Sequence, residues 1–570
     1  MMQAKSEQNE QQLIQTLRDL LGSRNVLTGE RAMAAYCKGF REGSGPALAV
    51  LKPGTLLEQW QVLQACVSAG VNIIMQAANT GLTGGSTPTD GCDRSTVVIN
   101  TNRIDSIQVL PAFNQFIAFS GATLYSLEQA LKPYQRVPHS VIGSSCIGAS
   151  IVGGVCNNSG GALIERGPAY TELALYAQID AQGKLHLINH LDIDLGDTPE
   201  EILTRLQTRR YPDSAIGISQ KQASDQEYAQ WVRDTESDTP ARYNADPRRL
   251  HEASGCAGKL AVFAVRLDSF AENKGEQTFY LGANSTETLE LVRRTLLQEA
   301  TELPVSAEYL HRHIFDIADR YGRATVLLIR AMGANRMQGF FRFKRVLDGV
   351  FNRSRWLPRH LPDKMIQWIS NRFPSQTPMR LVNWNRRFEH QLILTVKGHA
   401  VTQCLALLET IKQNSELDFF VCTEAETKRA YLLRFAAAGA ALQYAAVHDD
   451  QVEGIVALDV ALKRNELNWF ETLPASLSNK LCLPLYYGHF FCHVFHQDYV
   501  VRKGESLSDV KQELLDLLDQ RGAEYPAEHN VGHLYHAKPS LKENYQKLDP
   551  TNTFNAGVGQ MSKCKHYQDS

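Results

Sequence analysis

The chain is 570 residues long, more than a single hydrophobic core usually serves, so two or three domains are expected. A composition of 43 % apolar and 21 % charged residues excludes a disordered or fibrous chain; eleven cysteines, an odd number without a C-x-x-C pair, argue against a disulfide framework and for a reducing cytosol. The net charge of −2 is close to neutral on average only, because it hides a strongly basic stretch late in the chain.

The N-terminal "MMQAKSEQNEQQLIQ" offers no apolar run for a signal peptide, and no window approaches ~18 uninterrupted apolar residues. The expectation is a chain kept on the cytosolic side without a bilayer span. Residues 10–21 read as a short amphipathic helix, and "LLEQWQVLQACVSAG" (56–70) as a helix with a glycine stop. "VNIIMQA" reads as a buried strand running into the loop "QAANTGLTGGSTP" (76–88). "STVVIN", "FIAFSG" and "TELALYAQID" are further strands, and "TLYSLEQALKP" is a helix capped by a threonine. From about residue 200 the chain is polar for some forty residues, which reads as a long surface excursion. No repeat of fixed period and no low-complexity tract occurs.

The loop 76–88 holds three glycines and five Ser, Thr or Asn residues in thirteen positions. Glycines after a strand let backbone N–H groups converge on an anion, as at helix N-termini and nests. The pattern is neither G-x-G-x-x-G opening a helix nor a P-loop, and alone it reads equally as a surface turn. A second glycine-rich stretch, "GSSCIGASIVGGVCNNSGG" (143–161), changes that balance. Two such segments, each beside strands, suggest one long cofactor pinned between two subdomains.

From Arg320 to Phe388 fifteen Arg and Lys residues face only Asp348 and Asp363, giving +13 there and −15 over the rest of the chain. Phe340, Phe341, Phe343, Phe351, Trp356, Trp368 and Phe373 are interleaved with them. Basic charge with aromatic rings suits an anionic lipid leaflet. "TKRAYLLRFAAAGAALQYAAV" (427–447) reads either as a second amphipathic membrane contact or as an alanine-rich core helix.

In order and detail, "AANTGLTGGS", "PHSVIGSSCIGASIVGGVCNNSGG" and "SGCAGKLAVFAVRL" (254–267) resemble the FAD-binding domains of the vanillyl-alcohol oxidase type. Together with "YYGHFFCHVFHQDY", "YPAEHNVGHLY" and "DPTNTFNAGVG", they make nearly the whole chain similar to the membrane-associated, quinone-dependent D-lactate dehydrogenases of bacteria. The resemblance implies an α+β protein with a two-subdomain FAD-binding domain (1–268 and 520–570). An α+β cap is expected in three parts (269–310, 388–425 and 450–519), with a basic membrane-binding segment at 311–387 and a further membrane contact at 426–449.

By position, the resemblance assigns the FAD pyrophosphate to Ala77, Ala78, Asn79, Thr80, Gly81, Gly85 and Ser86. It assigns Gly143, Ser150 and Gly160 to pyrophosphate, ribityl chain and ring edge, and Val262 to a strand lying against the cofactor. Some relatives attach the flavin through a histidine in the first loop; none stands there, so dissociable FAD is expected, with Cys146 read as packing rather than a flavin link. His529 occupies the histidine of the family's Ala-Glu-His-Gly signature and is the candidate base, with Asn530 standing where the glycine is usual. His489, His496 and Glu528 reproduce the types and spacing of a divalent-metal triad in related 2-hydroxy-acid dehydrogenases, without its Gly-Asp-Gly turn. Whether they hold a metal or hydrogen-bond the substrate, with or without His493, stays open. Arg386 is a candidate clamp for the substrate carboxylate, or a solvated arginine.

The implied activity is oxidation of D-lactate to pyruvate, with electrons passed to a membrane quinone from the cytoplasmic face of the inner membrane, where the protein is peripheral. The competing readings are a related flavoenzyme with another 2-hydroxy acid or acceptor, and a colourless anionic-polymer binder; nucleic acid is not expected as a partner.

Overall fold

A computed structural model of the chain describes residues 2–139, 148–218, 220–324, 327 and 360–568. Gly143, Cys146 and most of the basic stretch, including Arg342, Lys344, Arg345, Arg353 and Arg355, lie outside the described residues.

The first sheet contains β1 (Val26–Leu27), β2 (Ala49–Leu51), β3 (Asn72–Gln76) and β4 (Thr96–Asn100) in the order β1-β2-β4-β3. Strands β2, β4 and β3 run parallel. Their connection is the expected helix, Leu56–Ser68, capped by Thr55, whose side chain accepts the Glu58 amide at 3.1 Å. It buries Leu56, Trp60, Val62, Leu63 and Cys66 against Ile73, Val97 and Ile99. Burial on both faces explains the continuous apolar run of β3, which ends as the glycine loop begins.

The second sheet is antiparallel: β5 (Ile107–Leu110), β6 (Gln115–Phe119), β8 (Ala174–Ile179), β9 (Leu185–Asn189) and β10 (Ala261–Asp268), in the order β5-β6-β10-β8-β9. A two-stranded ribbon, β7 (Arg136–Val137) with β11 (Phe270–Ala271), lies beside it in sequence. The chain then builds a seven-stranded sheet from β12 (Gln277–Ala283), β13 (Ser306–His311), β14 (His390–Val396), β15 (Asp418–Val421), β16 (Val452–Ala461), β17 (Leu481–His489) and β18 (Val494–Arg502). Its order is β15-β12-β14-β13-β17-β18-β16, and each neighbouring pair is antiparallel. The C-terminal residues return to the first sheet, where the Ile73 amide donates to Thr553 O and the Asn555 amide to Ile73 O, both at 2.9 Å. Phe554, between them, is fully buried.

Two expectations are modified. The polar stretch after residue 200 is not surface throughout: Leu203, Leu206, Tyr228, Val232 and Thr235 are buried, as are Arg242 and Arg249 just beyond it. Trp231 is held between the guanidinium groups of Arg248 and Arg464, 3.4 and 3.9 Å from its ring, and Arg464 donates to Thr239 O and Trp231 O. This clasp pins residues 228–249 to the seven-stranded unit; polar composition concealed it because the buried contacts are arginine–backbone and arginine–ring. The helix Glu424–Val447 is long and apolar enough to cross a bilayer, yet it packs Ala430, Leu433, Ala437, Ala440 and Ala441 into a core with Ile314, Ala318 and Tyr321.

His311 and His390 sit within that sheet, with His390 Nδ1 2.7 Å from the Tyr309 hydroxyl. Burial pushes both imidazoles down from 6.5 to about 4. Both stay neutral in the fold and take up protons near pH 6 only after unfolding. Stability from this source is therefore complete above pH 6.5 and lost as pH falls toward 4, on the order of 3 kcal/mol per group. The melting temperature should fall over that window, and fall less in His390→Gln, whose amide retains a partner for Tyr309; equal falls would clear His390 of responsibility.

Candidate active site

The loop after β3 is held open rather than packed. Asn79 adopts a left-handed conformation (φ 53°) and its side chain donates to Lys38 O and accepts from Ser86 Oγ, at 2.9 and 3.0 Å. Gln76 ties the two loop limbs by donating to Ser86 O and Tyr36 O. Among the described residues, the amides of Ala78, Asn79, Thr80 and Gly81 have no protein acceptor. A Cβ built on Gly81 meets nothing within 4 Å. A row of unserved amides facing open space is what a pyrophosphate requires. Ser150 caps the helix Ile151–Cys156, its side chain accepting the Gly153 amide at 3.1 Å. Val262 lies buried in β10 opposite Tyr176, at the bulge before Ala264. These residues fit FAD.

The second half of the site is written in strand register. Glu308 stands opposite His489, and His496 stands opposite both Tyr487 and Asp459. Partners across a ladder share a face, as do residues two apart along a strand. Glu308, His489, His496 and Asp459 therefore share one face of the seven-stranded sheet. Glu528 and His529 meet them from the C-terminal segment, where the Glu528 amide donates to Asp459 Oδ2 at 2.7 Å. The ligand atoms of His489, His496 and Glu528 lie within 4.8 Å of one another. His489 Nδ1 is 2.6 Å from Glu308 Oε1, and its Nε2 is 3.3 Å from Glu528 Oε2. Asp459 reaches His496 Nδ1 at 3.4 Å and His529 Nε2 at 3.7 Å.

Charge in this cluster is mutually enforced. Burial alone would lower His489, but Glu308 and Glu528 on either side raise it to about 9. Burial pushes Glu528 up, and His489 with Arg242 overcomes it and holds the carboxyl well below its usual range. Glu308 is likewise low despite burial, through His489 and Arg434, and Asp459 through His529 and His496.

Of the sequence candidates, the structure brings together His489, His496, Glu528 and His529. Asn530 does not adopt a positive φ, so no glycine is needed there; its side chain accepts the Gly532 amide at 2.8 Å and donates to Asn157 Oδ1 at 2.9 Å. Gly160 touches the cluster: a Cβ there would overlap Glu528. Arg386 is not brought in; it is exposed on the helix Met379–Arg387. His493 belongs elsewhere, 3.2 Å from Glu290 and 3.0 Å from Lys463 O. Sequence reasoning missed Glu308, Asp459, Arg434 and Arg242. The first two carried a legible signal, a carboxylate within an apolar strand ("PVSAEYLH", "IVALDVAL"); such a group is buried only when paired.

Residues 47–188 match the family model described as an FAD binding domain, and residues 278–567 match the one described as D-lactate dehydrogenase, membrane binding. Two solved structures share the fold: p-cresol methylhydroxylase with substrate bound (TM-score 0.59, 12 % identity, 97 % of each chain covered) and alkyldihydroxyacetonephosphate synthase (TM-score 0.56, 11 % identity, 95 % of this chain and 84 % of that one). The family match and the fold thus define an FAD-binding protein with the vanillyl-alcohol oxidase type of fold. At the level of sequence, the chain is 53 % identical over 551 residues to the quinone-dependent D-lactate dehydrogenase of Escherichia coli strain K12, covering 96 % of both chains. It is 51 % identical to the enzyme of that name from Haemophilus influenzae, covering 98 % of this chain and 100 % of the relative. The chain belongs to the quinone-dependent D-lactate dehydrogenases.

Because the space beside Gly81 is empty of protein, Gly81→Val should leave the fold and melting behaviour of the apoprotein intact. The valine should block approach of the pyrophosphate, so the purified variant should be largely colourless. Full flavin content in its absorbance spectrum would remove the loop from cofactor binding.

Proposed function

We propose that this chain oxidises D-lactate to pyruvate in respiration, passing the electrons to a membrane quinone. The observation that carries the reading is the sheet face of Glu308, His489, His496 and Asp459, closed by Glu528 and His529 from the segment that also braces the glycine loop. When bound, FAD supplies the two-electron acceptor that takes the C2 hydrogen as hydride. It is held without a covalent link by the amides of residues 77–81 with Gly85 and Ser86, and by Gly143, Ser150, Gly160 and Val262.

His529 takes the proton of the substrate hydroxyl. It is the least buried ionisable group of the cluster, its side chain 35 % exposed, with its Nε2 3.7 Å from Asp459 Oδ2. Asp459 also holds His496, so one carboxylate orients two imidazoles. His489, His496 and Glu528 supply the donor set for a divalent cation, with Glu308 fixing the His489 ring from behind; such an ion would act as a Lewis acid on substrate oxygen. The deciding experiment is the flavin spectrum: D-lactate should bleach it and L-lactate should not. His529→Ala should stay yellow while its reduction by D-lactate slows at least ~100-fold. Near-normal reduction would exclude His529 as base.

The protein associates with membranes through its membrane-binding region, and we propose a peripheral contact with an anionic leaflet on the cytoplasmic side. Among the described residues of that region, the helix Leu361–Ser370 and its exit expose Met365, Trp368, Ile369 and Phe373, with Arg372 stacked 3.3 Å from the Trp368 ring. Sedimentation with vesicles should require anionic lipid and weaken as salt rises from 0.1 to 1 M, where the Debye length shrinks from ~10 to ~3 Å. Glutamine at Arg342, Lys344, Arg345, Arg353 and Arg355 should release the protein while D-lactate still bleaches the flavin. Binding indifferent to salt and lipid charge would point instead to apolar insertion or a protein partner.

A further inference from the structure

A 2-hydroxy acid brings a carboxylate into the site, and a carboxylate needs a cation with free donors. Arg434 is held by charge against Glu308, its Nε 2.7 Å from Oε2 though not aligned for a hydrogen bond, and Arg386 is at the surface. Arg242 differs from both. It is 2 % exposed and is carried inward on residues 228–249, the stretch pinned by the Trp231 clasp. Its Nη2 donates to Gly161 O at 2.6 Å and to Glu528 Oε1. Its Nε and Nη1 are buried and, among the described residues, have no hydrogen-bond acceptor. Its other titratable neighbours are Cys492, a weak acceptor, and Tyr228, whose hydroxyl is itself buried and unserved.

Buried donors on a charged group are nearly always satisfied, so two unserved nitrogens on one guanidinium mark the place of an acceptor that the chain does not supply. The location narrows its identity. A Cβ built on Gly160 would lie 3.0 Å from Arg242 Nε, so this nitrogen faces the bare backbone of the cofactor-side segment while Nη2 holds Glu528 of the histidine cluster. An anion seated there stands between the flavin segment and the proton-accepting cluster. We propose that Arg242 anchors the substrate carboxylate and thereby sets the requirement for a 2-hydroxy acid over a simple alcohol. The inference rests on the reading of this chain as a 2-hydroxy-acid dehydrogenase.

The test uses flavin-loaded enzyme and the variants Arg242→Lys and Arg242→Gln. Oxalate, a non-reacting carboxylate, is titrated by its perturbation of the flavin spectrum, and turnover is compared on D-lactate and its neutral methyl ester. In Arg242→Gln the oxalate dissociation constant and the KM for D-lactate should each rise about 10- to 100-fold, with a smaller change in kcat. The preference for the acid over the ester should shrink by a similar factor, and Arg242→Lys should lie between. Unchanged oxalate affinity in both variants overturns the proposal. So does an equal loss on acid and ester, which would make Arg242 a positioning residue for Glu528. A lowered flavin potential with normal oxalate binding overturns it too and gives the guanidinium to the cofactor. Should Arg242→Gln fail to load flavin, Arg242→Lys decides by the same oxalate and ester comparisons. If wild-type flavin were not bleached by D-lactate, the activity assigned to the chain would fail, whereas oxalate binding would still judge Arg242.

Discussion

Buried charge is the constraint on which the rest of the site depends. Glu308, Asp459 and Glu528 are 3–6 % exposed, and none could stay ionised there without cations at contact distance. For Glu308 and Glu528 those cations come from three different stretches of chain: Arg434 from the helix Glu424–Val447, Arg242 from the clasped stretch, and His489 from β17. Each of the two glutamates is shared between two of these cations, so the network specifies how three segments must close on one another. The same network keeps the carboxylates of the cluster anionic.

The C-terminal segment turns this network into one site with the cofactor loop. Residues 528–533 pair with Asp459 on one side and with the loop on the other, where Thr83 Oγ1 donates to Asn530 O at 2.7 Å and the His533 amide donates to Thr83 O at 3.0 Å. Asn555 adds a bond from its side chain to Gly85 O at 2.8 Å. The candidate base is thus spaced from the flavin cradle by a few residues fixed at both ends, which is how a scaffold holds reacting groups in register.

Much of this was legible in the sequence. The helix Leu56–Ser68, β3 and β4 follow from helical and apolar periodicity, and the glycine loop follows from its place directly after a buried strand. His489, His496, Glu528 and His529 were reachable because spacing and signature were local. What escaped was non-local. Arg242 sits in "TPARYNADP", where nothing nearby distinguishes it from a solvated arginine; its burial is decided by Trp231, Arg248 and Arg464, the last more than two hundred positions away. Arg386 misled for the converse reason: an arginine in a basic run carries no signal of which way its helix faces.

The helix Glu424–Val447 shows how the membrane region and the chemistry are linked. By composition it could span a bilayer, and Phe435 and Leu442 are exposed on it. Yet Arg434, one residue before Phe435, is the cation that neutralises Glu308 behind His489. Inserting the helix across a bilayer would withdraw that guanidinium and leave the buried Glu308 carboxylate with His489 alone, and breaking such a pair costs about 3–5 kcal/mol. Tyr431 adds a second tie, its hydroxyl 2.6 Å from Ser306 Oγ and 2.7 Å from Thr395 Oγ1. The helix can meet a leaflet only with the face that carries Phe435 and Leu442, while the face that carries Arg434 stays on the sheet. The helix thus keeps the Arg434 face on the sheet wherever the Glu308–His489 cluster is intact, because the guanidinium that would be lost on insertion is part of that cluster.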